Sequence, residues 1–295
     1  MKRSALLLGS VLFAAMGAAF AANPNVEASM VITGTITVNP DGSVHDYTLY
    51  RESDLPPGVL QLVKQSVPRW KFKPVEVEGK PVEAQTGMTL RIKANMMADH
   101  SVTLAVSGAN FGCLGKWKGI PDQVCPPGST ALVSPHNKLP SYPVAAMRMG
   151  VSGEVYVAVE IGRDGEVIRA AATRVDMYSF DSNKRGQAAN RKLLADASVE
   201  AIKDWKYAIP TAGMEASKDH WVVTQPVNFT LMGDRTHSLQ AYGKWNSYVP
   251  GPEEDVPWAQ DHHSTGGSDA VADNGQPFTR DPRFVLETPV GSTSG

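Results

Sequence analysis

One pattern occurs twice in this chain, and it limits the fold more than any other feature. The later copy reads Gly153-Glu-Val-Tyr-Val-Ala-Val-Glu-Ile-Gly-Arg-Asp-Gly-Glu-Val167, then a helix-like run ending Ala201-Ile-Lys-Asp-Trp-Lys-Tyr207, with Pro210 beyond. The earlier copy reads Val31-Ile-Thr-Gly-Thr-Ile-Thr-Val-Asn-Pro-Asp-Gly-Ser-Val44, then a run ending Val67-Pro-Arg-Trp-Lys-Phe72, with Pro74 beyond. Each is strand, Asp-Gly turn, strand, helix, Trp-Lys-aromatic, Pro, strand. Glycine at such a turn supplies the positive φ that a tight hairpin needs. Asp41-Gly42 and Asp164-Gly165 are therefore read as turns, and the aspartates as turn residues rather than catalysts.

The hydrophobic spacing fills in the elements. Leu60, Val63, Val67 and Trp70 recur at 3, 4 and 3 residues, one face of a helix, with Asp54 as a candidate N-cap. Met88, Leu90 and Ile92 alternate as a strand, with Thr89 and Arg91 on its other face. Leu194, Ala197, Ala201 and Trp205 form a second helical stripe, and Tyr142-Pro143 opens a short helix ahead of the later copy. Asp176 to Arg191 reads as an irregular insertion. Pro226 lies inside the last predicted strand, Trp221 to Met232. Proline donates no ladder hydrogen bond, so that strand is expected at a sheet edge or bulged. Trp70 and Trp205 are read as core anchors.

The first residues indicate export. Lys2 and Arg3 precede an apolar run from Ala5 to Phe20 that ends in Ala19-Phe20-Ala21. This reads as a signal cleaved between Ala21 and Ala22, with an uncleaved inner-membrane anchor as the alternative. Subtracting 21 residues from 295 leaves 274, enough for two modest domains. Without Lys2 and Arg3 there remain 26 basic and 30 acidic residues, a net charge of −4. The segment after Met232 holds 9 acidic and 4 basic residues and carries −5, which leaves the rest near +1. A nearly neutral body offers no basic face for nucleic acid. In an exported protein the two cysteines, Cys113 and Cys125, are expected to pair as a disulfide, the alternative being two free thiols.

No motif carries catalysis. Val106-Ser107-Gly108 and Gly128-Ser129-Thr130 lack the Gly-x-Ser-x-Gly of a nucleophile elbow. His262-His263 sits in a polar run without ligand spacing, so no metal is assigned. No cofactor is expected, and the chain reads as a non-enzyme.

Tyr142-Pro-Val-Ala-Ala-Met-Arg-Met-Gly-Val-Ser-Gly-Glu-Val155, then Asp164-Gly165, then Ala201-Ile-Lys-Asp-Trp-Lys-Tyr207, resembles the C-terminal domain of the TonB family. The shared elements are Tyr142 and Pro143, the Gly-x-Val beginning at Gly153, Asp164 and Gly165, and Trp205. Pro210 lies one residue beyond the usual place. The earlier copy, with Asp41, Gly42, Trp70 and Pro74, resembles a degenerate version without the Tyr-Pro helix. The resemblance implies a periplasmic αββαβ domain whose last strand pairs with a short receptor strand. Here that strand offers Thr224, Gln225, Val227, Asn228, Phe229, Thr230 and Leu231.

The expected fold is thus α+β, two related units each with a small antiparallel sheet packed by a helix. The expected organisation is a signal over 1–21, a ββαβ unit over 22–94, a connector with the cysteine loop over 95–138, and a TonB-like domain over 139–232. An acidic tail follows over 233–295, largely disordered after 259. The expected function is a periplasmic binding or adaptor protein that pairs with an envelope protein or an outer-membrane receptor peptide through its edge strand. A homodimer is an open alternative. Two other readings remain: an energy transducer, if the N-terminal segment stays in the membrane, and a structural envelope protein.

Overall fold

The computed structural model describes residues 26–96, 102–113, 132–133, 138–178, 184–231, 243–262, 277 and 279–290. Residues 1–21 with the expected cleavage site at Ala21 and Ala22, together with Cys125 and His263, lie outside the described residues. The fold is mixed α/β with antiparallel sheets and few helices.

In chain order the elements are β1 (Glu27–Val38), β2 (Val44–Leu49), α1 (Pro57–Ser66), β3 (Glu76–Val77), β4 (Lys80–Pro81), β5 (Ala84–Met96) and β6 (Val102–Cys113). Then come α2 (Val144–Arg148), β7 (Gly153–Gly162), β8 (Val167–Met177), α3 (Lys184–Ile202), β9 (His220–Phe229), β10 (Asn246–Tyr248) and β11 (Thr279–Arg280).

The first sheet has the order β10-β1-β5-β6-β11, with β2 beside the far end of β1. β1 and β5 pair along their length, from Ala28 opposite Ala94 to Val38 opposite Ala84. One face of this sheet holds Met30, Ile32, Ile36, Met88, Leu90 and Ile92, and α1 covers it with Val59, Leu62 and Val63. The expected stripe holds at Val63, Val67 and Trp70, whereas Leu60 is only partly buried. Asp54 does not cap α1. Pro56 occupies the N-cap position without a side-chain bond, and Asp54 accepts instead from Arg51 Nε at 2.8 Å.

The second sheet is β8-β7-β9, with β7 in the centre. Val155, Val157, Val159 and Ile161 of β7 meet Trp221, Val223, Val227 and Phe229 of β9, Leu194 and Ile202 of α3, and Trp205 just past its end. The buried face of α3 is rotated from the expected one. Ser198, not Ala197, is fully buried, and its hydroxyl donates to the Leu194 carbonyl at 2.8 Å. That bond removes the cost of burying an unpaired hydroxyl, so a polar residue substitutes for an apolar one. The expected insertion is mostly regular: β8 runs to Met177, α3 begins at Lys184, and Arg191 is helical.

Two expectations about organisation are corrected. The connector contains β6, a twelve-residue strand paired with β5. Part of the acidic tail is folded: β11 pairs with β6 and Phe284 enters the first core. A few apolar residues in a polar stretch suffice, because the partner edge was already built.

The backs of both sheets are polar yet buried. Ser29, Thr33, Thr89 and Arg91 of the first sheet and Glu154 and Asp176 of the second are all nearly inaccessible. The backs meet where Arg91 bonds to Tyr156.

Candidate strand-pairing edge

The Asp-Gly turns fix both sheets to their helix exits in the same way. Gly42 has φ 82° and Gly165 has φ 80°. The Phe72 amide donates to the Gly42 carbonyl at 2.8 Å, and the Tyr207 amide donates to the Gly165 carbonyl at 2.8 Å. The aspartates close the turns: the Ser43 amide donates to Asp41 Oδ1 and the Glu166 amide to Asp164 Oδ1. Trp70 is buried. Trp205 is buried too, and its indole donates to the Lys138 carbonyl at 2.9 Å. Pro74 is exposed and Pro210 buried, each just past its tryptophan turn.

The opening of the second half is held equally firmly. The Tyr142 hydroxyl donates to the Val151 carbonyl, and its ring meets Phe229 edge-on at 5.4 Å. Pro143 is the N-cap of α2. A side chain at Gly153 would meet the Asp176 carbonyl oxygen at 2.4 Å, which explains glycine there.

These contacts place β9 at the margin of the second sheet. Its ten residues pair with β7 without a register shift, and Pro226 stands opposite Tyr156. Proline has no N–H, so an unbroken ladder puts Pro226 where the main chain points away from β7. Main-chain direction alternates along a strand. Val222, Thr224 and Asn228 therefore also turn their N–H and C=O groups outward. The Pro226 carbonyl is capped from within the strand: Gln225 Nε2 donates to it at 3.0 Å, and Gln225 Oε1 accepts from the Tyr207 hydroxyl at 3.3 Å. Burial drives the Tyr207 pKa far above that of an ordinary tyrosine, so its hydroxyl remains a donor.

The other margin of this sheet is occupied. Met177 and Val249 exchange main-chain bonds at 3.0 and 2.8 Å, and the Glu254 amide donates to the Thr173 carbonyl at 2.7 Å. Arg191 Nε donates to the Val175 carbonyl at 3.0 Å. The 249–254 stretch thus covers β8. Among the described residues no strand pairs with the outer side of β9. The turn over Pro257–His262 lies near β9, with Val256 and Ala259 buried against Ala158 and beside Val222.

The expected pairing residues divide into two groups. Gln225, Val227 and Phe229 point into the core and offer a partner no side chain. Thr224 and Asn228 are half-buried on the sheet's back, while Thr230 and Leu231 lie just past the strand. Asn228 Nδ2 donates to the Tyr178 hydroxyl at 3.0 Å, and the Thr230 hydroxyl donates to Asn228 Oδ1 at 2.7 Å. The sequence reading missed Glu154, Tyr156 and Tyr178, which link this end of β9 to Arg91. For Glu154 and Tyr156 the visible signal is a polar side chain in an otherwise apolar strand, whereas Tyr178, just past β8, has none. Among the described residues no group of three His, Cys, Asp or Glu side chains is placed to hold a metal, and no helix is long and apolar enough to cross a membrane.

No family model matches the chain, and no solved structure matches it. A 96-residue stretch is 28% identical to Protein tonB2 of Pseudomonas aeruginosa, covering 32% of this chain and 30% of that protein. The chain thus aligns with less than a third of that relative's length. This is a distant TonB-like relationship over about a third of the chain.

Proposed function

We propose that this chain is a non-enzymatic periplasmic protein built from two TonB-like units, the first degenerate, that captures an envelope protein by pairing its strand with the outer edge of β9. The matching turn locks at Gly42 and Gly165 support the two-unit reading. The distant likeness to a TonB protein supports the envelope setting. One observation carries the binding reading: the chain covers the β8 margin with its own 249–254 stretch, while among the described residues no strand pairs with the outer side of β9. Strand addition draws its affinity from main-chain bonds, and an edge strand supplies them.

Photo-crosslinking from position 224 in intact cells tests this. A cross-linked envelope protein is expected, and Asn228→Pro should reduce its yield several-fold, because it removes an outward N–H without touching the β7 ladder. Asn228→Ala leaves that N–H in place and should capture more than Asn228→Pro. Val223→Pro removes an inward N–H and should unfold the sheet. Equal capture by the folded proline and alanine variants would count against strand pairing. Cross-links only between copies would favour the structural-protein reading. An intact N-terminus in washed inner membranes would favour the transducer.

A further inference from the structure

Residues 279–290 join the first sheet through the two-residue strand β11 and run on beside it. Thr279 and Arg280 pair with Cys113 and Gly112, and the Asp281 amide donates to the Phe111 carbonyl at 2.9 Å. Phe284 is 1% exposed, and its ring meets Phe72 edge-on at 6.3 Å. Phe72 in turn packs on Phe111 at 4.9 Å. Beyond the ring, the Lys73 amide donates to the Val285 carbonyl at 2.9 Å and the Glu287 amide to the Lys71 carbonyl at 2.8 Å. The Lys71 amide donates to the Thr288 hydroxyl at 2.8 Å.

The second half fills the corresponding place with a different part of the chain. The Ala208 amide donates to the Val133 carbonyl at 2.9 Å, and the Val133 amide returns a bond at 3.0 Å. Lys73 and Ala208 occupy the same position relative to Trp70 and Trp205. The Val285 carbonyl therefore does for the first half what the Val133 carbonyl does for the second, while the return bond comes from Glu287. Val133 comes from the stretch just ahead of α2. Val285 comes from the opposite end of the sequence, after a run rich in Ser, Gly and Asp.

We propose that the first half carries a peptide-binding groove, and that its ligand is this chain's own residues 279–290, held as a separable segment. The groove recognises a short strand, a turn closed by the Phe284 amide on the Asp281 carbonyl, and a bridge at Leu286, so main-chain pairing flanks a turn that carries one buried phenylalanine. Charge plays little part. Arg283 donates to Asp281 through Nε at 2.9 Å and Nη2 at 2.6 Å, so these two charges neutralise each other within the segment. Strand addition beside an aromatic anchor is an established mode of peptide recognition, here turned on the chain itself.

The test uses the whole chain with a specific protease site placed between residues 266 and 272, cut after folding. The released fragment, which contains residues 277–290, should co-elute with the body on gel filtration. An excess of labelled synthetic peptide spanning 277–290 should replace it. The same peptide with Phe284→Ala should compete about a hundredfold less well, the loss expected for truncating a buried ring. The uncut chain should bind the labelled peptide far more weakly, because its tethered segment holds the groove at high effective concentration. A fragment that elutes free at micromolar concentration overturns the proposal. So does a fragment that no peptide replaces, or equal competition by the Phe284→Ala peptide.

Discussion

Arg91 and Tyr156 join the two sheets: Arg91 Nη2 donates to the Tyr156 hydroxyl at 2.9 Å, and each residue is 3% exposed. The second arm of the guanidinium donates to the Ser29 hydroxyl at 2.8 Å, and the Tyr156 hydroxyl donates to Glu154 Oε2 at 2.9 Å. A buried cation and a buried carboxylate thus share one phenol. Tyr156→Phe should cost about 1–3 kcal/mol, the penalty for stranding buried polar partners. Arg91→Ala removes the buried cation that faces the Glu154 carboxylate through the phenol and should cost more, about 3–5 kcal/mol. Urea unfolding of the two variants checks the order. A Tyr156→Phe protein as stable as the parent would show that the phenol is not needed there.

The two turn glycines make a matched pair of predictions. A Cβ at Gly42 would stand 2.0 Å from the Phe72 carbonyl oxygen, and one at Gly165 would stand 2.2 Å from that of Tyr207. Both positions also have positive φ. Alanine at either should destabilise by more than about 1 kcal/mol, and Gly79→Ala, in an open hairpin tip, should cost less. Thermal melts of the three variants give the comparison.

Asp41 gives a pH prediction. The Ser43 hydroxyl and amide both donate to its carboxylate and hold its pKa at about 2, below the usual 3.8. A pKa depressed in the folded state contributes stability that is complete above the unfolded value and lost as pH falls through the folded one. The contribution should therefore fade as pH drops from 3.8 to about 2, and Asp41→Asn should flatten that part of the profile. Ser43→Ala should move the carboxyl midpoint up towards 3.8 in a carbon NMR titration. A parent midpoint already near 3.8 would contradict the turn bonds.

Cys113 stands buried at the last position of β6, where Thr279 pairs with it. A bond to Cys125 would close a short loop and add roughly 3 kcal/mol in the chain-entropy model. Mass spectrometry of non-reduced protein should show the chain two hydrogens lighter than its reduced form. Two alkylatable thiols in fresh protein would rule the bond out.

Local periodicity made much of this fold legible. Met88, Leu90 and Ile92 alternate and are all fully buried, and the Asp-Gly turns stand where their dipeptides indicate. Pro226 announced an edge strand, and among the described residues β9 is one. What stayed hidden depends on distant partners. Arg91 looks like a solvent-facing residue until Tyr156, 65 positions later, meets it. β6 was obscured by Ser107, Gly108 and Gly112, which weaken a strand signature. Phe284 and Leu286 were obscured by their polar neighbours, although both pack in the first core. Removing everything after Gly233, which looks harmless from composition, would also remove β10 and β11.

The bond between Lys71 and Thr288 spans 217 positions. A ribosome or an export channel delivers residues in order, so the sheet whose strands emerge first is the last to be finished. Until residues 279–288 arrive, the Gly112 to Cys113 edge has no strand to pair with and the slot beside Phe72 lacks its ring. Unpaired edges invite other chains, and contacts this far apart form slowly. The early half of the molecule therefore spends its synthesis exposed to misassembly, and a chaperone that shields sheet edges would be needed most for the part made first.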